Sequence, residues 1–136
     1  METQIRIPPT STKKVWAGRI ISALLVLLLL MGAVSAFVQP VNAVKGFEEF
    51  GYPSRLLPVL GAVELACAIL YAIPRTSVLG AILLTGYLGG ATATHVRVGD
   101  PKFVVPVIVG MIVWLGLLLR EDRLSGLIPF RTRRAA

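Results

Sequence analysis

The 136-residue chain is 55% apolar, with a mean hydropathy of +0.77 and a formal net charge of +7. That balance is the balance of an integral membrane protein and excludes a soluble domain of ordinary composition. The basic excess reads as charge that sets topology and attracts anionic headgroups. Nucleic acid is not an expected partner, because no helix-turn-helix or RNA-binding signature is present. The single cysteine, Cys67, excludes an internal disulfide, a CxxC redox pair and a cysteine zinc cluster, and its apolar setting marks it as a small packing residue.

In chain order, residues 1–15 are polar and proline-bearing, and predict a flexible tail. Lys13, Lys14 and Arg19 then precede an apolar run from Ile20 to Val38, long enough to cross the hydrocarbon core. Val34-Ser35-Ala36 resembles a signal-peptidase site. A signal core usually holds only about 7–15 apolar residues, so the run is read as a retained span. Gln39-Pro40 closes it. Val41, Val44, Phe47 and Phe50 recur three apart, which predicts a short amphipathic helix in the interface, ended by Gly51 and Pro53. An ordered loop is the alternative.

Leu56–Ile73 is the second apolar segment, with Glu64 near its middle. Pro74-Arg75-Thr76 allows only a tight turn between adjacent antiparallel spans, and Thr76 or Ser77 is placed to cap the next helix. The third span carries Thr85, Tyr87, Thr92, Thr94 and His95, with glycines at 80, 86, 89 and 90. After a polar turn, the fourth span tolerates Pro106 in its opening turns and ends at Arg120-Glu121-Asp122-Arg123. The expected fold is therefore all-α. Four antiparallel transmembrane helices (about 19–39, 55–73, 76–95 and 102–119) form one bundle over residues 16–129, followed by a basic tail at 130–136.

Four spans put both ends of the chain on one side. Arg6, Lys13, Lys14, Arg19, Arg75, Arg120, Arg123, Arg131, Arg133 and Arg134 fall on that side, against Lys45, Arg55, Arg97 and Lys102 on the other. The positive-inside rule makes the termini cytoplasmic. Trp16, Tyr71 and Trp114 suit an aromatic belt at the cytoplasmic interface.

Glu64 leads the candidate site residues. A carboxylate at bilayer depth costs about 2.5–3.5 kcal/mol on insertion scales, so it should face the bundle. It is read either as a proton-handling or ligand-anchoring group, or as a structural carboxyl bonded to a hydroxyl such as Thr85 or Thr92. His95, with Arg97 and Asp100 close behind it, suits a proton shuttle, a hydrogen bond to a quinone carbonyl or a partner for a carboxylate. A water-wetted interfacial role is the alternative. Gly86-x-x-x-Gly90 and Gly89-x-x-x-Ala93 are small-residue ladders whose default meaning is close helix packing, within the bundle or across a dimer. Gln39, Asn42, Glu48, Glu49, Tyr52 and Arg55 lie on the same side as His95, Arg97 and Asp100 and together suit the rim of a pocket. The ligand count for a metal is lacking, and no self-sufficient catalytic motif is present, which leans against an enzyme.

The segments FEEFGYP, GAVELACAILYAIPRT, LGAILLTGYLGGATATHVRVGDP and WLGLLLREDRL, together with four spans, resemble the DoxX-like family of small bacterial membrane proteins over Arg19 to Pro129. The resemblance implies a four-helix bundle in the cytoplasmic membrane, with Glu64 and His95 matching recurring polar positions. The family is named for similarity to a subunit of thiosulfate:quinone oxidoreductase, and some relatives are associated with redox defence. The expected function is an accessory subunit or binder of a quinone-like lipophilic ligand, with Glu64, His95, Arg97, Thr92 and Thr85 as ligand contacts. One alternative is a membrane scaffold pairing with a second copy, or with another membrane redox protein, through Gly86, Gly89 and Gly90. A small proton-coupled transporter is a further one. The absence of a cysteine pair argues against thiol chemistry.

Overall fold

The computed structural model describes residues 11–125, so the basic tail at 130–136 and the first ten residues lie outside the described residues. Every regular element described is helical: α1 (Thr12–Val38), α2 (Val41–Glu49), α3 (Leu57–Ala72), α4 (Ser77–Arg97), α5 (Val104–Arg120) and the single turn α6 (Asp122–Ser125). Short 3-10 turns at Ser54–Leu56 and Pro101–Phe103 lead into α3 and α5. Four of these helices are long and apolar enough to cross a membrane. Helix α1 begins at Thr12, so Thr12–Lys14 are helical rather than tail.

The helices form a ring in which α1 packs on α3 and α5, and α4 packs on the same two from the opposite corner. Phase explains which residues turn inward. On α1, Gly18, Ser22, Leu25, Leu29, Ala33 and Ala36 are buried at steps of three or four, the period of one helix face. They meet Cys67, Ala68 and Tyr71 of α3, Ala81, Leu84 and Leu88 of α4, and Val113 and Leu117 of α5 in one core. The outer surface is equally apolar, with Leu24, Leu27 and Met31 of α1 and Val105 and Met111 of α5 exposed, as a bilayer-facing surface requires.

Close crossings are made by small residues. A Cβ on Gly80 would run into the backbone of Tyr71, and one on Gly116 would lie 2.8 Å from Ser22 Oγ. At this end, nearest the described termini, Tyr71 is fully buried and not part of an aromatic belt. Its hydroxyl donates to the Val113 carbonyl (2.8 Å) and bonds Ser22 Oγ (3.1 Å), while Arg120 donates to the Tyr71 carbonyl (2.7 Å) with its guanidinium over the ring. Trp16 is 57% exposed. The Thr76 hydroxyl turns back to the Leu70 carbonyl (2.8 Å), and Ser77 bonds the Pro74 carbonyl (3.1 Å). The two hydroxyls thus satisfy a carbonyl of the last turn of α3 and one of the connecting turn instead of capping α4.

At the distal end Gln39 takes a left-handed conformation (φ 52°) and Pro40 starts α2 afresh. Gly51 (φ 79°) then reverses the chain into Tyr52-Pro53. No residue of α2 is fully buried, and its Phe47 and Phe50 are half-covered against the bundle while Val41 is exposed. The helix therefore lies across the distal end like a partial cover.

Candidate functional site

Glu64 sits midway along α3, half-buried, and its carboxyl points inward between α1 and α4. Two residues make the place for it. Gly32 of α1 has no side chain there, and a Cβ would fall 2.7 Å from Glu64 Oε1. Tyr87 of α4 donates its hydroxyl hydrogen to Glu64 Oε2 at 3.2 Å. The partner is thus a tyrosine and not Thr85 or Thr92. Helix phase is the reason, since at about 100° per residue the two-residue step to Thr85 and the five-residue step to Thr92 both turn well away from Tyr87. Thr85 and Thr92 donate instead to the carbonyls of Ala81 and Leu88 in their own helix (2.8 Å each), and Thr85 accepts from Trp114 Nε1 of α5 (2.9 Å).

Tyr87 also lines a groove of about 450 Å³ between α3 and α4, covered distally by α2. Phe47, Phe50 and Tyr52 form its distal wall, Val59 and Leu60 one side, and Gly86 and Gly90 its floor. Those glycines do not pack against the described residues: a Cβ at 86, 89 or 90 would meet nothing of them within 4 Å. The ladder read as a packing surface is therefore free among the described residues, and the bundle closes through Gly18, Gly61, Gly80 and Gly116. Their effect at 86 and 90 is to leave room.

His95 stands at the distal end of the groove. Its Nδ1 lies 2.9 Å from Asp100 Oδ2, and Phe50 meets the ring edge-to-face at 4.7 Å between centroids. Asp100 also accepts from the Lys102 amide (3.0 Å). That amide first, and the His95 contact second, hold the Asp100 carboxyl below its ordinary range. Tyr52 bonds Thr94 Oγ1 (3.2 Å) and stacks on Phe47 (5.2 Å). Arg97 donates to the Phe50 carbonyl and covers the Tyr52 ring at 5.4 Å. Arg97 therefore ties α2 to α4 and is not aimed into the groove. Beyond His95 lies a polar recess, also about 450 Å³, lined by Glu49, Phe50, His95, Asp100 and Lys102.

A second, wider groove of about 810 Å³ runs between α4 and α5. Gly89, Thr92, Ala93, Gly110 and Trp114 line it, and Thr85 lies at its terminal end.

The model of the DoxX-like family matches residues 20–116, which reaches into all four spans and takes in the whole lining of the α3–α4 groove. The chain belongs to the DoxX-like family. No curated protein and no solved structure matches it at a significant level. With four candidate spanning helices, this DoxX-like protein is a multi-pass membrane protein.

Of the five residues expected to contact a ligand in this DoxX-like protein, only Glu64, through Tyr87, and His95 relate to the α3–α4 groove. Thr85 and Thr92 lie on the α4–α5 groove, and Arg97 clamps α2. Glu49, Tyr52, His95 and Asp100 do gather at the distal end, whereas Gln39, Asn42, Glu48 and Arg55 line neither the α3–α4 groove nor the polar recess. Tyr87, Phe50 and Gly32 were not anticipated as site residues. The available signal for Tyr87 was a phenol in an apolar stretch, where a buried hydroxyl seeks a partner.

Proposed function

We propose that this DoxX-like protein binds a flat lipophilic ligand of the quinone type in the α3–α4 groove, as an accessory subunit of redox metabolism in the cytoplasmic membrane. Glu64–Tyr87 and His95 supply the polar contacts, and the termini are cytoplasmic, so the groove's distal end faces outward. The observation that carries the reading is the groove itself: aromatic and aliphatic walls, a bare glycine floor at Gly86 and Gly90, and polar groups at two depths. Its volume of about 450 Å³ falls in the range of small-molecule sites, roughly 300–1,000 Å³. A ring headgroup fits between the aromatic walls while an apolar tail continues into lipid. The Lys/Arg bias towards the terminal side supports the orientation.

The test compares two neighbouring glycines. Gly90→Leu fills the floor of the groove, and Gly89→Leu makes the same change about 100° round the helix, in the other groove. A short-chain naphthoquinone titrated into protein in lipid nanodiscs should lose about tenfold or more in affinity with Gly90→Leu and little with Gly89→Leu. Equal effects would remove the groove as the site.

A second reading has its own support. Because a Cβ on Gly89 would meet nothing within 4 Å among the described residues, and Gly89 lies beside Ala93 in the wide groove, this face is open to close approach by another helix. Pairing with a second copy or a membrane redox protein there predicts that Gly89→Leu abolishes a crosslinked dimer or hetero-pair in native membranes, and an unchanged crosslinking pattern counts against it.

A further inference from the structure

His95 and Phe50 line both the apolar α3–α4 groove and the polar recess beyond it, and so form the partition between them. The imidazole is not symmetric in this partition. Its Nδ1 faces Asp100 Oδ2 at 2.9 Å on the side of the recess. Among the described residues its Nε2 has no hydrogen-bond partner. The two ring nitrogens lie on divergent edges, so a ring anchored to Asp100 through Nδ1 turns Nε2 away from Asp100, and the same residue borders the groove.

We infer that His95 selects the ligand's oxidation state, presenting Nε2 to the groove as a hydrogen-bond acceptor and so favouring a hydroxyl-bearing, quinol-like head over a carbonyl-only one. Asp100 is the positioning residue. An ionised carboxylate accepts only, so in the neutral ring the proton stays on Nδ1 and Nε2 is left with its lone pair. The Lys102 amide on Oδ1 (3.0 Å) keeps Asp100 in that accepting role. Other charged groups are occupied or placed elsewhere. Arg97 is on the Phe50 carbonyl and the Tyr52 ring. Glu49 and Lys102 line the recess, not the groove. Tyr87 has its hydrogen on Glu64. Thr94 donates to the Gly90 carbonyl (3.0 Å), which leaves Tyr52 as the donor to Thr94 Oγ1 (3.2 Å). A hydroxyl at the distal end of the groove therefore finds an acceptor in Nε2, and a carbonyl finds no free donor among these described residues. This inference rests on the proposed groove site and adds to it which redox form is preferred and why.

His95 is the only histidine of the chain, so histidine-selective 15N labelling of protein carrying no histidine tag gives one imidazole to read. The neutral ring should show a protonated Nδ1 and a bare Nε2. Asp100→Asn keeps an oxygen for the Lys102 amide but turns an amide donor on Nδ1, and should move the ring proton to Nε2. Binding is read with 1-naphthol and 1-methoxynaphthalene, a pair differing in the hydroxyl hydrogen and without redox chemistry. Wild type should bind the naphthol about three- to tenfold more tightly, the worth of one hydrogen bond, and the Nε2 signal should shift on binding. His95→Phe should bring the ratio to one, and Asp100→Asn should bring it to one or below.

A wild-type ring protonated on Nε2 overturns the inference without recourse to any variant. So does an equal ratio in wild type and His95→Phe while both probes compete with the naphthoquinone; that result leaves the groove site standing. If neither probe nor the naphthoquinone binds, the groove reading itself falls, and this one with it.

Discussion

Tyr87 joins the carboxyl inside the bundle to the groove on its surface, because its ring lines the groove while its hydroxyl reaches Glu64. Tyr87→Phe leaves Oε2 without that donor and should destabilise the protein by about 1–3 kcal/mol in detergent unfolding. Glu64→Gln keeps an acceptor for the phenol and should cost less. Wild-type stability for Tyr87→Phe would mean that the bond contributes nothing. The distal turn has its own acid sensitivity. The Asp100 carboxyl lies below its ordinary range because of the Lys102 amide and His95. A carboxyl with a lower pKa in the fold than in the unfolded chain stabilises the fold above the unfolded value, about 3.9, and that contribution disappears as pH falls through the folded value. Hydrogen exchange at the Lys102 amide should therefore lose protection in that acid window, and Asp100→Asn should remove the pH step. Glu64 and His95 stood out in the sequence because polar groups are rare in such apolar runs. Their partners did not. Choosing between Thr85, Tyr87 and Thr92 requires the rotation of α4 about its axis, and spacing fixes only relative phase.

At the scale of the helices, α4 divides its small residues between two tasks. Gly80 is pressed against the Tyr71 backbone, whereas Gly86, Gly89 and Gly90 face open space. Gly80→Ala should force α3 and α4 apart and cost about 1–3 kcal/mol or more. Gly89→Ala adds a methyl into free space and should be neutral to stabilising, by up to about 1 kcal/mol. Thermal unfolding of the two variants side by side checks this, and equal destabilisation would contradict the assignment. A Gly-x-x-x-Gly ladder looks the same in sequence whether it receives a neighbouring helix or leaves a hollow. That is why the packing reading of 86, 89 and 90 did not hold within the bundle, while the span carrying them was plain from its hydropathy. The amphipathic α2 was legible from the spacing of Phe47 and Phe50. Its attachment through Arg97 was not, because a guanidinium reaching a carbonyl 47 residues away leaves no local pattern.

For the whole molecule, four spans and a ring of helices follow from alternating apolar runs and tight turns such as Pro74-Arg75-Thr76, which leave adjacent helices no choice but to pack antiparallel. A polar rim at the distal end was legible, through Glu49, Tyr52, His95 and Asp100, but the place and walls of the groove were not, since an empty space is a property of several helices together. The charge bias predicts sidedness. Cysteines placed at Ser11 and Arg123 should react with an impermeant maleimide only from the cytoplasmic side of membrane vesicles, and one at Asn42 only from the other. Labelling of Ser11→Cys and Asn42→Cys from the same side would break the topology. The groove itself is tested most directly by photolabelling native membranes with a diazirine-bearing naphthoquinone and mapping the adducts by mass spectrometry. Adducts should concentrate on residues 47–60 and 86–95 and be displaced by unlabelled naphthoquinone. Adducts spread evenly over the lipid-facing surface of α1 and α5, and undisturbed by the competitor, would contradict the groove site.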